Sequence, residues 1–218
     1  MLDRAIVLVG ILGGWLVAAA ASSILKRMNH GHLPAGSVSA RSESSGETHP
    51  VVSPAWAQAG VTLAMGGNIL IQIVFVLLVL LGLWENVAPL VAWDLPQVLN
   101  WIGLFGIWLH LAWGVSVIYY NTNYTPLYSP MERGYILATG GPYAVVRHPQ
   151  YVSHVTATVF VFLLTGTWLI GLTAVGWASL PRQVAQEEKA LLSLFNGDYE
   201  LYSRRVGRLV PRIRHRRM

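Results

Sequence analysis

The chain has 218 residues, of which 54% are hydrophobic and only 11% are charged. Soluble globular domains are about one-quarter charged, so this composition excludes an ordinary soluble domain and indicates a membrane protein. The chain contains no cysteine, which excludes disulfides, cysteine nucleophiles and cysteine-ligated metal sites.

Long apolar stretches mark the predicted membrane spans, because a helix needs about 20 apolar residues to cross a bilayer. Three stretches have this length: Ala5 to Leu25, Val61 to Trp84 and Val98 to Tyr120. A further stretch, residues 152–180, is too long for one span and too short for two full ones. Gly166 lies between two threonines at its centre, which predicts a tight turn joining two short helices, 152–164 and 167–186.

The first apolar stretch has an alternative interpretation as a cleaved signal peptide, because four alanines follow its apolar run. Asp3 cancels the charge of Arg4 ahead of the run, whereas Lys26 and Arg27 lie behind it. Signal peptides carry their positive charge in front, so this arrangement favours a retained span.

Residues 30–54 are rich in Ser, Gly and Pro and predict a flexible linker that cannot bury a core. The histidines within it, His30, His32 and His49, are interpreted as solvated loop residues, and no metal site is predicted. The predicted domains are therefore 1–58, a transmembrane helix with its linker, and 59–218, a membrane core.

The basic residues predict the orientation. A five-span arrangement places every Lys and Arg except Arg4 on one side of the membrane, which the positive-inside rule assigns to the cytosol. The predicted fold is all-α: a polytopic membrane protein with five transmembrane helices, the last two a short hairpin, and a C-terminal cytosolic helical segment. The N-terminus is then outside and the C-terminus is cytosolic. A bacterial inner membrane is predicted in preference to the endoplasmic reticulum. The basic tail predicts contact with anionic lipid rather than nucleic acid.

One polar motif, GGPYAVVRHPQYVSH (140–154), directly precedes the predicted hairpin. Its glycines permit positive φ, and Pro149 suits the first turn of a helix. Arg147 and His148 therefore lie just before a helix N-terminus, which favours anions. Alternatively, Arg147 snorkels towards lipid phosphates as an ordinary interfacial residue.

A second polar motif, QEEKALLSLFNGDYELYSRRVGRLVP (186–211), follows the hairpin. Leu191, Leu192 and Phe195 share a helical face. Glu187 and Glu188 lie at the start of that face. The Asn196-Gly197 pair predicts a helix stop followed by a new helix. An amphipathic interfacial helix with its acids facing solvent is the simpler alternative.

Together the two motifs resemble the isoprenylcysteine carboxyl methyltransferase and phospholipid methyltransferase superfamily of integral membrane enzymes. The resemblance covers about residues 134–212 and rests on these positions: Gly141, Pro142, Tyr143, Arg147, His148, Pro149, Tyr151, Glu187, Glu188, Leu191, Phe195, Tyr199, Tyr202, Val206, Arg208 and Pro211. Two positions depart from the family pattern, because Ser153 and Asn196 replace glycines. Asn tolerates positive φ, so the second change is mild, whereas Ser153 bears on which acceptor is used.

The resemblance implies S-adenosylmethionine as cofactor and a lipophilic acceptor that enters from the bilayer. The implied cofactor-binding residues are Gly140, Gly141, Tyr143, Arg147, His148, Tyr151, Glu187 and Glu188. The implied substrate-binding residues are His154, Tyr199, Tyr202, Arg205 and Arg208. Arg208, Glu188 and Tyr151 are the implied catalytic residues, no metal is involved, and the oligomeric state is left open.

Several alternatives remain open from sequence. Within methyl transfer, the acceptor is a prenylcysteine-like carboxylate, a phospholipid amine or a small thiol. Sterol reductases have a related architecture, so an NADPH-dependent membrane reductase is a second class. A non-enzymatic membrane protein whose basic tail binds lipid is a third.

Overall fold

The computed structural model describes residues 2–28, 36–39, 53–121 and 136–212. The histidines of the predicted linker, His30, His32 and His49, lie outside the described residues. The described chain is mostly helical, as predicted. In chain order its elements are α1 (Arg4–Met28), β1 (Ser37–Ser39), α2 (Ala55–Leu80), α3 (Trp84–Val91), α4 (Gln97–Tyr120), β2 (Ile136–Ala138), α5 (Pro142–Val145), α6 (Pro149–Thr165), α7 (Leu169–Ala174), a 3₁₀ helix (Val175–Ser179), α8 (Leu180–Phe195) and α9 (Gly197–Arg205).

Three of the described helices are long and apolar enough to cross a membrane: Ala5–Leu25, Ala55–Leu80 and Gln97–Tyr120. The second begins six residues before the predicted start and ends at Leu80, because Gly82 turns the chain at a φ of +71°. Large apolar side chains such as Leu70 and Leu77 are at least half exposed on it, as a lipid-facing helix surface requires.

The region predicted as a two-helix hairpin is more segmented than expected. Helix α6 begins at Pro149, and the predicted turn is present, with Gly166 at a φ of +68°. Beyond it, the single predicted helix 167–186 is divided into α7, the 3₁₀ helix and α8. Hydrogen bonds hold the turn to the end of α3 and the segment after it, from Trp93 N to the carbonyl of Gly166 (3.0 Å) and from Trp168 N to that of Val91 (3.1 Å).

Helix α3 and a two-stranded ribbon were absent from the sequence prediction. Helix α3 lies mostly between the second and third predicted spans, where no helix was predicted. Strands β1 and β2 form an antiparallel ribbon in which Val38 faces Leu137, so residues 36–39 of the predicted flexible linker are ordered by pairing. The fold is therefore helical with a small two-stranded ribbon rather than all-α.

The described chain folds as two compact units, each assembled from segments distant in sequence. The first unit comprises residues 1–21, 54–113 and 153–183. Its apolar core includes Val7, Phe75, Ile107 and Leu164. A buried polar chain runs through it, from Gln72 Nε2 to Asn68 Oδ1 (2.8 Å) and from Asn68 Nδ2 to the Thr158 hydroxyl (3.0 Å). Pairing these groups removes the cost of burying them in an apolar interior.

The second unit comprises residues 22–53, 114–152 and 184–218. Its core is formed by Leu137 of β2, Phe195 of α8, and Tyr199 and Tyr202 of α9. All but the last two residues of the first motif, and all of the second motif, belong to this unit.

Candidate functional site

The Gly-Gly-Pro segment forms a tight turn into α5. Gly141 has a φ of +55° and a ψ of −128°, a conformation that residues with a Cβ rarely adopt. A Cβ at this position would lie 2.3 Å from ring carbons of Tyr120, so the glycine makes room for that ring. The preceding Gly140 accepts a hydrogen bond from the Tyr143 amide at 3.1 Å, which closes the turn.

Val146 is extended, and residues 146–148 pair with the end of the second motif. Val146 and Gly207 form a parallel bridge. The Arg147 amide donates to the Gly207 carbonyl at 2.8 Å, and the His148 amide donates to the Arg208 carbonyl at 3.1 Å. The two motifs, predicted as separate stretches, are therefore joined through their main chains.

The predicted helix stop separates α8 from α9. Asn196 lies between the two helices with a φ of +46°, as expected for a residue that replaces glycine at this position. The stop lets α9 fold back so that Tyr199 and Tyr202 are buried beside Phe195. Glu187 and Glu188 lie in the middle of α8, facing the first motif.

Arg147 connects both motifs through its guanidinium group. Its Nε and Nη2 donate to Glu188 Oε1 at 2.9 and 2.7 Å. Its Nη1 donates to the main-chain carbonyls of Ser203 at 2.8 Å and Val206 at 2.6 Å. The guanidinium thus bonds one carboxylate and two carbonyls, a use for which the planar five-donor group of Arg is suited.

His148 lies between the two glutamates. Its Nε2 is 3.2 Å from Glu188 Oε1, and its Nδ1 is 3.5 Å from Glu187 Oε2. The Tyr151 hydroxyl donates to the other oxygen of Glu187. The His148 side chain is only 6% exposed, so its charge state depends on these two carboxylates.

Arg208 closes the cluster on its exposed side. Its Nη2 bonds Glu188 Oε2, while its side chain remains 47% exposed, against 12% for Glu188. We call Arg147, His148, Glu187, Glu188 and Arg208 the ion cluster. Glu188 is its centre, since it contacts the three cationic side chains.

The ion cluster favours its charged forms. Burial alone would lower the pKa of His148, but hydrogen bonds and negative charge from Glu187 and Glu188 outweigh it and raise that pKa above its ordinary value. Burial likewise opposes ionisation of Glu188, yet hydrogen bonds from His148, Arg208 and Arg147 lower its pKa far below the usual range. The imidazolium form of His148 and the carboxylate form of Glu188 stabilise each other.

Tyrosines form a wall beside the ion cluster. The Tyr202 hydroxyl donates to the Tyr143 carbonyl at 2.7 Å, and the Tyr143 hydroxyl accepts from Asn121 Nδ2 at 2.9 Å. Burial, followed by the charge of Glu188, raises the pKa of the Tyr199 hydroxyl. That hydroxyl is buried without a geometrically good hydrogen bond to a described residue.

Two of the sequence-predicted site residues are not part of this constellation. Arg205 is exposed at the end of α9. His154 belongs to the first unit, where its ring lies 5.4 Å from that of His110. Ser153, the departure from the family glycine, is 3% exposed there, and its hydroxyl is 2.7 Å from His110 Nδ1.

Sequence reasoning missed the groups that complete the constellation. The carbonyls of Ser203 and Val206 bind Arg147, but main-chain acceptors have no signature in the residue types. Tyr120 and Asn121 lie at the end of a predicted span, where an aromatic and a polar residue are ordinary interfacial features. The charged residues themselves were all predicted, because charge beside an apolar run is a conspicuous signal.

Comparison with known proteins gives two matches. The phospholipid methyltransferase family matches residues 98–197. A protein-S-isoprenylcysteine O-methyltransferase of Schizosaccharomyces pombe is 32% identical over 87 residues. The predicted resemblance to this methyltransferase superfamily is confirmed.

The similarity to these membrane enzymes agrees with the long apolar helices of this chain. It concerns part of each protein, because the aligned stretch is 39% of this chain and spans 37% of the yeast relative's length. The family match contains the whole first motif together with Glu187 and Glu188. The part of the second motif from residue 198 onwards, including Tyr199 and Arg208, follows the matched stretch.

Proposed function

We propose that this chain transfers a methyl group from S-adenosylmethionine to a lipophilic acceptor at the cytosolic face of the membrane. The observation that carries the proposal is the position of His148 between Glu187 and Glu188, with Arg147 and Arg208 completing the ion cluster. Buried charged groups of both signs are costly in a chain this apolar, and such sites are usually functional.

The residues present fit the polar half of the cofactor, which carries an ammonium, a carboxylate and a sulfonium. Arg208 is half exposed and meets Glu188 through one nitrogen, so it can exchange that contact for the cofactor's carboxylate. Glu188 then accepts the ammonium in its place. The buried Tyr199 hydroxyl supplies a further polar group beside Glu188.

When bound, S-adenosylmethionine supplies a methyl group activated by its sulfonium, and transfer breaks the sulfur–carbon bond as the acceptor forms its bond to carbon. The protein's task is to position both partners and exclude water, which can contribute about 7–11 kcal/mol. Glu187 and Glu188 offset positive charge, and Tyr151 orients Glu187. We assign His148 to holding the two glutamates and Gly140, Gly141 and Tyr143 to the adenosyl side.

Arg147 has a positioning role in this proposal. Its guanidinium is engaged by Glu188 and by carbonyls near the end of α9, so it fixes the cluster rather than reaching a ligand. The exposed Arg205 is assigned to the acceptor's carboxylate or phosphate, where a planar guanidinium is well suited. Tyr199 and Tyr202 line the apolar part of the site.

A prenylcysteine-like carboxylate is the acceptor we propose first, in line with the name of the yeast relative. A phospholipid amine is the second candidate, because the family that matches residues 98–197 is named for phospholipids. Both comparisons favour methyl transfer over the reductase alternative. A carboxylate acceptor needs no base, whereas an amine must first lose a proton.

Labelled S-adenosylmethionine tests the proposal with the full chain in nanodiscs that contain farnesylated cysteine or phosphatidylethanolamine. We expect base-labile label on the prenylcysteine, as a methyl ester requires. Base-stable label in the phospholipid would instead identify an N-methyl product. No labelled product with either acceptor, together with no binding of S-adenosylhomocysteine by calorimetry, would refute the proposal.

Isosteric variants test the ion cluster itself. Glu188→Gln keeps the shape of the side chain but removes the counter-charge of three cations, so we expect binding of S-adenosylhomocysteine to weaken at least about tenfold. Glu200→Gln is the matched control, because Glu200 forms an exposed pair with Arg204 in α9. Equal affinity of the two variants for S-adenosylhomocysteine would mean that Glu188 is not part of the cofactor site.

A further inference from the structure

A cavity lies in the first unit, where α1, α3 and α4 begin and α2 and α6 end. Its volume is about 680 Å³, enough for a small organic molecule or a lipid headgroup. Five of its lining residues are polar or acidic: Asp3, Glu85, Asp94, Asn100 and Thr165. None of them belongs to the ion cluster or to the second unit.

The charge of this cavity is negative. Asp3, Glu85 and Asp94 contribute three carboxylates, and none of the described lining residues is basic. All three acids are exposed, so they attract a cation from solution without a large desolvation cost.

Asn100 provides an independent indication of a ligand. It is 3% exposed and lines the cavity. Its Nδ2 donates to the carbonyls of Leu163 at 3.1 Å and Leu164 at 3.2 Å, which fixes the amide. Because the amide is planar, Oδ1 points away from those carbonyls, and it has no hydrogen-bond partner among the described residues. A buried acceptor of this kind calls for a donor.

Tryptophans form a rigid wall of the same cavity. Trp84 packs edge-on against Phe75 with ring centroids 4.7 Å apart, and Trp93 packs edge-on against Phe162 at 5.7 Å. The amide of Trp93 is bonded to the turn at Gly166. Indole faces attract organic cations, and their fixed rings reduce the entropy lost on binding.

We propose that this cavity binds an organic cation that carries N–H donors, such as a primary ammonium group. The carboxylates supply the charge complement, Asn100 Oδ1 accepts from the N–H group, and the tryptophans contact the adjoining carbon atoms. A metal ion is the weaker fit, because the described residues contain no cluster of three metal-ligating side chains. On the predicted topology, the cavity opens on the external side of the membrane.

Calorimetry with the purified full chain in detergent tests the proposal with ethanolamine and choline as probes. We expect ethanolamine to bind and to bind more weakly as salt rises, since the attraction is between charges. Choline has the same charge but no N–H donor, so it should bind about tenfold more weakly. Equal binding of the two probes, or no binding of ethanolamine, would overturn the proposal.

Variants locate the binding within the chain. The double variant Glu85→Gln and Asp94→Asn keeps side-chain shape and should weaken ethanolamine binding at least about tenfold. Asp198→Asn, an exposed acid of α9 in the second unit, is the matched control and should bind as the unchanged chain does. Loss of binding in Asp198→Asn, or none in the double variant, would place the cation elsewhere and refute this site.

An experiment with lipids distinguishes a lipid headgroup from a free amine as the source of the ammonium group. Nanodiscs of phosphatidylethanolamine and of phosphatidylcholine are compared for their effect on the affinity for free ethanolamine. Competition confined to phosphatidylethanolamine identifies a lipid headgroup as the occupant, whereas unchanged affinity identifies a free amine. Both outcomes support an N–H cation site, whereas equal competition by the two lipids contradicts the role of Asn100. None of these readouts depends on methyl transfer.

Discussion

The two ring nitrogens of His148 face two different carboxylates, so protonation of one residue controls both contacts. Since its pKa is raised in the folded protein, the imidazolium stabilises the fold fully below the ordinary value of about 6.5. We expect this stabilisation to be lost as the pH rises through the raised pKa, because the neutral ring cannot donate to both glutamates. Melting curves of the unchanged chain and of His148→Gln should therefore converge towards alkaline pH.

Tyr151→Phe is the control for this pH dependence. It removes the hydroxyl that donates to Glu187 but no group that titrates near neutrality. Its difference in melting temperature from the unchanged chain should stay constant between about pH 6 and 9. A constant difference for His148→Gln as well would mean that the imidazole is not the titrating group.

Gly141 shows how one missing side chain positions the first motif. Gly141→Ala would combine a strained backbone with a clash against the Tyr120 ring, so we expect a loss of about 1–3 kcal/mol in unfolding free energy. Gly197→Ala, at the start of α9, meets no atom within 4 Å and should be neutral or stabilising. Denaturant titrations in detergent compare the two, and equal effects would show that the turn tolerates a Cβ.

At the scale of elements, α9 and the segment after it are tied to the first motif through Arg147. Arg147→Lys keeps the charge but loses the planar fork that spans Glu188 and two carbonyls. We expect the pairing of 147–148 with 207–208 to loosen, so that the amides at 147 and 148 exchange hydrogen about tenfold faster. Arg204→Lys, which affects an exposed pair with Glu200, should leave that exchange unchanged. Unchanged hydrogen exchange in both variants would mean that main-chain hydrogen bonds alone hold 147–148 to 207–208.

The elements differ in how far sequence predicts them, for a physical reason. The three long helices were predicted to within about six residues, because apolar length measures membrane crossing directly. The ribbon of β1 and β2 was missed because Val38 and Leu137 are distant in sequence and pair through main-chain bonds. Helix α3 was missed because eight residues containing Pro89 give little periodic signal.

The features of the site also differ in how far sequence predicts them. The resemblance of the two motifs to the methyltransferase superfamily implied that Arg147, His148, Glu187 and Glu188 act together, and the structure places them in one cluster. Sequence did not predict that Glu188 is the centre of the ion cluster, or that Arg147 donates hydrogen bonds to two main-chain carbonyls. Those facts depend on the fold of α9 back onto the first motif, which begins at Asn196 with its positive φ.

At the scale of the whole molecule, the proposed functions depend on which side of the membrane each segment lies. The predicted domain boundary at residue 58, the five-span topology and the cytosolic C-terminus stay predictions. The critical part is the region from α6 to α8: if it crosses the membrane twice, the ion cluster and residues 121–150 share the cytosolic side. If it crosses once, α9 lies outside, away from cytosolic S-adenosylmethionine.

Single cysteines decide this, because the natural chain has none and gives no background. Asn86→Cys in α3 and Asp198→Cys in α9 both replace exposed side chains. With two crossings between α6 and α8, an impermeant maleimide outside intact cells should label position 86, and position 198 only after permeabilisation. Trp168→Cys, at the half-exposed tip of the turn, should be labelled from outside if α6 spans the bilayer. Labelling of position 198 in intact cells would mean a single crossing, and the cofactor site proposed here would then face the wrong compartment.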